Sequence, residues 1–214
     1  DGVSPLPERL KVSPFLLELW QQNGPFERAS LLQIIRFVPL RWGPWRALKQ
    51  IFKEAEAKGD LEIYGALAAR FDEAYSARTL KHEVRRPTLG YLVRRAWRYL
   101  RRQAEALPAA YADAACAVLA AYESPNWRAT WIANHIFFHD NGEYTRRRFR
   151  YRRQPGTLLK YRAYGELWRR SPRPLFSLLE RARSEMVREY ATSALKGDFR
   201  STLREVEPAW VVRL

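Results

Sequence analysis

The chain has 214 residues, with 38 Lys and Arg against 23 Asp and Glu and a formal net charge of +15. Hydrophobic residues make up 47% of it, aromatic ones 14%, which is enough to build a core and excludes an intrinsically disordered chain. A single cysteine excludes a disulfide framework and a cysteine-rich zinc site.

The distribution of charged and apolar residues predicts a soluble, cytoplasmic protein. Charged side chains interrupt every stretch long enough to span a bilayer, and the chain opens on Asp1-Gly2-Val3 without an apolar signal core. We expect one helical domain over 1–214, with a possible sub-boundary near 140–156. The chain has no initiating Met, and residues 208–214 resemble the first turns of a further helix, so we also expect it to be a fragment of a larger protein.

Helical periodicity dominates almost the whole chain. Apolar residues recur three and four positions apart, as in Leu31, Ile34, Ile35 and Val38, and alternating period-two runs are nearly absent. Residues typical of helix boundaries divide the chain at intervals of about 12 to 18 residues. These breaks fall at 23–25, 43–44, 58–60, 86–88, 107–108, 124–126, 171–174, 197–198 and 207–208. The pattern predicts an all-α protein of about ten antiparallel helices.

The exception lies at 140–156. Asp140-Asn141-Gly142 is typical of a turn, and in the following residues Phe149 and Tyr151 alternate with arginines. This pattern favours an extended arm or a short hairpin that ends at Gln154-Pro155-Gly156.

Residues 173–198 resemble a HEAT repeat. A Leu-rich helix is predicted over 174–182, a polar corner over 183–185, and a second helix over 186–198 with Val187, Ala191, Ala194 and Leu195 on one face. The resemblance implies a right-handed α-solenoid whose helices stack in antiparallel pairs.

A second resemblance covers 60–72 and 88–102. These residues are similar to the helical region of large bacterial HEAT-like proteins that also carry a WGR module, a small DNA-binding domain. The WGR module itself is absent from this chain. The resemblance implies a bacterial protein that works on DNA.

Two segments account for the whole net charge. Residues 85–102 and 144–162 contain no acid, and their seven and eight basic side chains together equal the formal charge of +15. Arginine supplies 31 of the 38 bases, and guanidinium groups bind phosphate in bidentate fashion and stack on nucleobases. The segments therefore predict an anionic partner.

The first segment predicts an amphipathic helix with a basic face. Leu89, Leu92, Val93, Ala96 and Leu100 form one stripe. Five arginines lie opposite it or at its flank, and we expect them to face phosphate: Arg94, Arg95, Arg98, Arg101 and Arg102. The alternative is a solvated face, or one that pairs with an acidic partner or a neighbouring helix. Trp97 and Tyr99 could stack on bases, but their helical spacing favours a place in the core.

The second segment carries six arginines in eight positions, and this density predicts an anionic neighbour. That neighbour is nucleic acid, an acidic protein surface or anionic lipid, and the alternative is an arm paired with acids elsewhere in the fold. Interleaved aromatic rings suit stacking on bases or insertion into a groove. The predicted nucleic-acid contacts of this arm are Arg146, Arg147, Arg148, Phe149, Arg150, Tyr151, Arg152 and Arg153.

These features favour non-catalytic nucleic-acid binding, DNA slightly ahead of RNA, with backbone charge dominating affinity. The main alternative is an interaction scaffold that binds an acidic protein. Membrane-surface binding is disfavoured because the Arg-rich helix has too narrow an apolar face.

Features of an enzyme are sparse. His135 and His139 share a helical face but lack the Glu of an H-E-x-x-H motif, which favours a core or interface role. Tyr111 and Asp113 suggest HEAT-like alkylpurine DNA glycosylases, which resemble this chain in fold type and charge. Arg128 with Asn134-His135 resembles the R-x6-H spacing of HEPN ribonucleases. No glycine-rich phosphate loop or Ser/His/Asp set is present, so we expect no cofactor and no metal, and Cys116 should be a small buried hydrophobe.

Overall fold

The computed structural model describes residues 12–77, 84–123, 129–139, 144–145, 148–149 and 159–206. Eleven α-helices lie in these ranges and confirm the all-α prediction: α1 (Val12–Gln22), α2 (Pro25–Phe37), α3 (Trp42–Lys58), α4 (Leu61–Ser76), α5 (Arg86–Ala106), α6 (Tyr111–Ala120), α7 (Ile132–Phe138), α8 (Gly165–Trp168), α9 (Arg173–Arg181), α10 (Glu185–Asp198) and α11 (Arg200–Arg204). Short 3₁₀ turns occupy Pro108–Ala110 and Leu159–Tyr161. A two-residue antiparallel ladder joins β1 (Tyr144–Thr145) to β2 (Arg148–Phe149).

Helix boundaries coincide with residues that end or cap helices. Helix α3 ends at Gly59, whose φ of 70° lies in the left-handed region that glycine adopts without strain. Asp60 then caps α4 by accepting the Ile63 N–H at 3.1 Å. Gly43 and Pro44, the predicted break between α2 and α3, lie in the first turn of α3, where proline's missing N–H is not needed.

Helix α4 is the centre of the packing. It contacts α2, α3, α5, α6 and α7, and ten of its 16 residues are buried. Gly65 permits its close approach to α6, since a Cβ at that position would lie 2.5 Å from the Ala117 carbonyl oxygen. Helix α4 thereby positions α5 on one side and α6 on another.

The start of α7 is capped from a distant helix. Asp72 of α4 is fully buried, and its carboxylate accepts the backbone N–H of Trp131 at 2.7 Å and of Ile132 at 2.8 Å. The Tyr122 hydroxyl donates to the same carboxylate at 2.5 Å. This single side chain therefore ties α4, the end of α6 and the start of α7 together.

Helices α9 and α10 occupy the HEAT-like range, and both begin within one residue of their predicted starts. They pack against each other, and α9 also packs on α6. The predicted inner face of α10 is buried, with Val187, Ala191 and Ala194 at 0% exposure. In the described ranges, no helix is both long enough and apolar enough to cross a bilayer.

Candidate nucleic-acid interface

The first basic segment forms α5, a 21-residue helix with one apolar and one basic face. Pro87 lies in its first turn, and the helix ends before Pro108. The predicted stripe of Leu89, Leu92, Val93, Ala96 and Leu100 is buried against the core, with at most 1% exposure. The guanidinium groups are consequently held on the side away from the core.

A buried carboxylate from α3 divides these arginines into two classes. The Glu56 side chain is only 5% exposed, yet its two oxygens accept from Arg95 Nε at 2.6 Å and from Arg102 Nη2. Arg95 and Arg102 are seven residues apart, two turns along α5, so both reach the same neighbour. Arg95 and Arg102 therefore each have a carboxylate partner, which the sequence did not indicate, and their contact with phosphate stays a prediction.

The electrostatics of Arg95 reflect this partner. Partial burial opposes its charge, but hydrogen bonds to Glu56 and Tyr91 outweigh the burial and raise the pKa of the guanidinium. Arg95 is therefore a fixed, permanently charged group, as a buried carboxylate requires.

The other three arginines form an exposed row, here called the α5 ridge: Arg94, Arg98 and Arg101. In the residues that the structure describes, no carboxylate pairs with Arg94 or Arg98. Arg101 lies 3.5 Å from Glu105, both side chains are more than half exposed, and such pairs contribute less than about 1 kcal/mol. The guanidinium of Arg98 lies 5.9 Å from the ring centre of Tyr91, which is itself 48% exposed.

Two arginines of the α5 ridge, Arg98 and Arg101, and the carboxylate of Glu56 border an open depression, here called the α5 cleft. It has a volume of about 370 Å³ and is lined by six charged residues: Glu56, Arg95, Arg98, Arg101, Arg102 and Glu105. Four guanidinium groups against two carboxylates leave a local excess of two positive charges. The lining of the cleft therefore has a net positive charge.

The arm is described only in part. The backbone of β1 pairs with β2 in a register that sets Tyr144 opposite Phe149 and Thr145 opposite Arg148. This ladder lies in the range for which the sequence predicts an arm or hairpin. The remaining predicted contacts lie outside the described residues: Arg146, Arg147, Arg150, Tyr151, Arg152 and Arg153.

Arg162, the last base of the second segment, belongs to the core. It is 1% exposed, donates to Asp198 at 2.5 Å, and its guanidinium lies 5.8 Å from the Trp168 ring centre. The second segment therefore presents one fewer charge to a ligand than its sequence suggests.

The aromatic residues and histidines of the middle of the chain form a buried cluster. Trp97 and Tyr99 are 6% and 5% exposed, which confirms the core interpretation over base stacking. The His135 ring lies 4.9 Å from Trp97 and 4.4 Å from Trp131, and its Nδ1 donates to the Trp131 carbonyl at 2.7 Å. Burial lowers the pKa of His135 to about 4, so the ring is neutral at physiological pH.

Tyr111 and Asp113 lie in different environments. Tyr111 is fully buried against Tyr164 and Trp168, whereas Asp113 lines a depression between α4, α6 and α9, together with Cys116. Arg128 lies outside the described residues. Within the described part of the chain, no group of three or more His, Cys, Asp and Glu residues could hold a metal ion.

Sequence reasoning missed Glu56 and Tyr91. Glu56 follows Lys53 and precedes Lys58, and this alternation of charges is typical of a solvated helix face. Its pairing with Arg95, 39 residues away, depends on the packing of α3 beside α5. A periodicity analysis of α3 could have found it, since Glu56 lies four residues after Phe52, on the buried face.

Comparison of the chain with protein-family models, with curated proteins and with solved structures finds no match.

Proposed function

We propose that this protein binds nucleic acid without catalysing a reaction, with duplex DNA slightly preferred to RNA. The observation that carries the proposal is the α5 ridge, a row of exposed guanidinium groups on a helix whose other face is buried. Binding to the sugar–phosphate backbone would supply most of the affinity and little sequence specificity.

The ridge has a spacing that suits a phosphate backbone. Arg94 and Arg101 are seven residues apart on α5, which corresponds to a distance of about 10 Å along the helix axis. DNA presents one phosphate on each strand about every 3.4 Å along its axis, so the ridge spans about three base-pair steps. Three arginines in that length can each reach a phosphate.

The rigidity of α5 also supports the proposal. Its apolar stripe is packed against α4, and the Tyr64 hydroxyl donates to the Ala96 carbonyl at 2.8 Å. A guanidinium on a fixed helix loses less conformational freedom on binding than one on an unstructured segment. The arm, with six arginines, would add a second and longer contact to the same ligand.

A HEAT-like solenoid is the scaffold that we propose for these contacts. Helices pack not only on their sequence neighbours but also on the next helix but one, as in α1 with α3, α2 with α4 and α4 with α6. Stacked helix pairs would have contacts of this kind. The preference for DNA and the bacterial origin depend on the resemblance to WGR-associated helical regions and are part of the proposal.

The test is a salt titration of binding to a fluorescent 20-base-pair duplex, read by anisotropy. Replacing Arg94 and Arg98 with Ala should weaken binding and flatten the slope of log K against log salt by about two units, roughly 0.9 per lost phosphate contact. Both side chains are exposed, so the variant should unfold at the same temperature as the wild type.

The matched control removes two charges elsewhere. Arg170 and Arg173 are exposed, lie before and at the start of α9, and do not line the α5 cleft. If Arg170→Ala/Arg173→Ala changes the slope as much as the ridge variant does, the ridge is not the binding face. If the wild type binds neither the duplex nor single-stranded RNA of equal length at 50 mM salt, the proposal fails.

A second candidate function is an interaction scaffold for an acidic protein. Large apolar side chains are exposed on α2 and α3, with Phe26 at 75%, Phe37 at 68% and Trp42 at 62%. Exposed aromatic residues beside arginines are typical of protein interfaces. Purification at low salt separates the two candidates: an acidic protein that co-purifies and leaves with salt favours the scaffold, and nucleic acid favours the first proposal.

A further inference from the structure

We infer that the α5 cleft binds a terminal phosphate group, the doubly charged phosphomonoester at the 5′ end of a nucleic-acid strand. The inference depends on the proposed function, because it names the part of the nucleic acid that this site would take. It goes beyond that function, since backbone binding does not require that the ligand have an end.

The charge of the cleft is the first argument. A phosphodiester in a nucleic-acid backbone carries one negative charge, whereas a phosphomonoester carries about 1.5 to 2 at neutral pH. The four guanidinium and two carboxylate groups of the cleft leave an excess of two positive charges. A dianion therefore neutralises the cleft, and a backbone diester leaves it half compensated.

The fixed geometry of two arginines is the second argument. Glu56 accepts hydrogen bonds from Arg95 Nε and Arg102 Nη2, and Arg95 also bonds to Tyr91, so most of the ten N–H donors of the two arginines remain. Several of the remaining donors can therefore serve an anion in the cleft that both side chains line. Because Glu56 is buried and holds both groups, the cost of ordering them is already met when the protein folds.

The shape of the site is the third argument. An extended backbone lies along a ridge, but a chain end can enter a depression. The cleft volume of about 370 Å³ falls in the usual range for small-molecule sites, roughly 300 to 1,000 Å³, and can admit a phosphate with its attached sugar. Arg98 lies on both the ridge and the cleft, so a strand that follows the ridge can end in the cleft.

The test compares three duplexes that differ only at one 5′ end: a free phosphate, a hydroxyl, and a phosphate capped as its methyl ester. We expect the wild type to bind the free phosphate about tenfold more tightly than the hydroxyl, the usual order for charge-assisted hydrogen bonds to an ionised group. The methyl ester has a single charge and should lose most of this preference. Arg101→Ala, which removes an exposed cleft arginine, should reduce the ratio towards one, whereas Arg170→Ala/Arg173→Ala should keep it.

The outcomes distinguish this inference from the proposed function. Equal affinity for the phosphate and hydroxyl ends overturns the inference and leaves backbone binding intact. A methyl ester that binds as well as the free phosphate overturns the charge match, and with it the inference. If neither the duplexes nor single-stranded RNA binds, both ideas fail.

A competition experiment identifies the source of the phosphate. A nucleoside 5′-monophosphate that displaces the phosphorylated duplex, while inorganic phosphate at the same ionic strength does not, supports a site for nucleotide ends. Displacement by inorganic phosphate alone, with no effect of the nucleotide, would overturn the assignment to nucleic-acid ends.

Discussion

Asp72 and His135 should oppose each other in the pH dependence of stability, and replacing Asp72 with Asn should reveal this. Burial raises the pKa of Asp72 to about 6 from 3.8, although hydrogen bonds from Tyr122 and three backbone N–H groups counteract the increase. Burial lowers the pKa of His135 to about 4 from 6.5. Both groups are therefore predominantly neutral in the folded protein between pH 4 and 6, and both are charged in the unfolded chain.

The signs of the two contributions differ. The stability from Asp72 is fully present below pH 3.8 and is lost as the pH rises to about 6, because the unfolded chain releases its proton first. The stability from His135 is fully present above pH 6.5 and is lost as the pH falls to about 4, because the unfolded chain takes up a proton first. Each changes the free energy of unfolding by about 1.4 kcal/mol per pH unit, so their slopes cancel between pH 4 and 6.

Asp72→Asn removes one of the two slopes. The variant should lose about 3 kcal/mol of stability relative to the wild type as the pH falls from 6 to 4, because the His135 contribution is no longer balanced. Lost hydrogen bonds to the start of α7 should add a pH-independent cost of roughly 1 to 3 kcal/mol. Only the change of stability with pH tests the shifted pKa values of Asp72 and His135.

The assay is urea unfolding, followed by the fluorescence of the eight tryptophans, at half-unit steps from pH 4 to 7 and constant ionic strength. His135→Gln should show the opposite slope, and the double variant should be flat again. An unchanged m value ensures that the differences are differences in stability. Parallel curves for Asp72→Asn and the wild type would refute the reasoning.

Three further predictions concern packing, reactivity and charge. Gly65→Ala should destabilise the protein by about 1 to 3 kcal/mol in thermal unfolding, because its Cβ would meet the backbone of α6 at Ala117. Gly197→Ala is the control, since its Cβ would meet only the end of a Leu side chain at 3.3 Å. It should be neutral or stabilising by up to about 1 kcal/mol. Burial raises the pKa of the Cys116 thiol well above its usual value. At pH 8 the thiol should therefore react with a disulfide reagent at least about tenfold more slowly than free cysteine does. Equal rates would contradict the burial of Cys116. The arm is tested by one variant with four alanine substitutions, at Arg146, Arg148, Arg150 and Arg152. Its salt slope should be flatter by about one unit per lost phosphate contact, and an unchanged slope would remove the arm from the binding site.

Local sequence predicted those features that depend on neighbouring residues. Gly59 and Asp60 mark a helix boundary through backbone conformation and capping, which only a few adjacent residues control. The buried stripe of α5 likewise follows from spacing within one helix. The predictions of these features were correct because the features do not depend on a distant partner.

Charge pairing over long distances could not be predicted in this way. Arg95 and Arg98 look alike in sequence, but only Arg95 faces Glu56, and that contact depends on how α3 packs beside α5. Arg162 belonged to a segment without acids, yet its partner Asp198 is 36 residues away. The positions of the basic residues follow from the sequence, but which of them pair with a carboxylate depends on the packing of distant helices.

The cap on α7 has a consequence for the order of folding. A seven-residue helix is too short to be stable alone in water, and the carboxylate that satisfies its first amides lies 59 residues before Trp131. Closing a loop of that length is slow compared with forming a local helical turn. As the chain leaves the ribosome, α4 can form early, but α7 must wait until α5 and α6 have emerged and brought it to Asp72. Its amides should then exchange with solvent only when this whole assembly opens, so a short segment reports on the cooperativity of the domain.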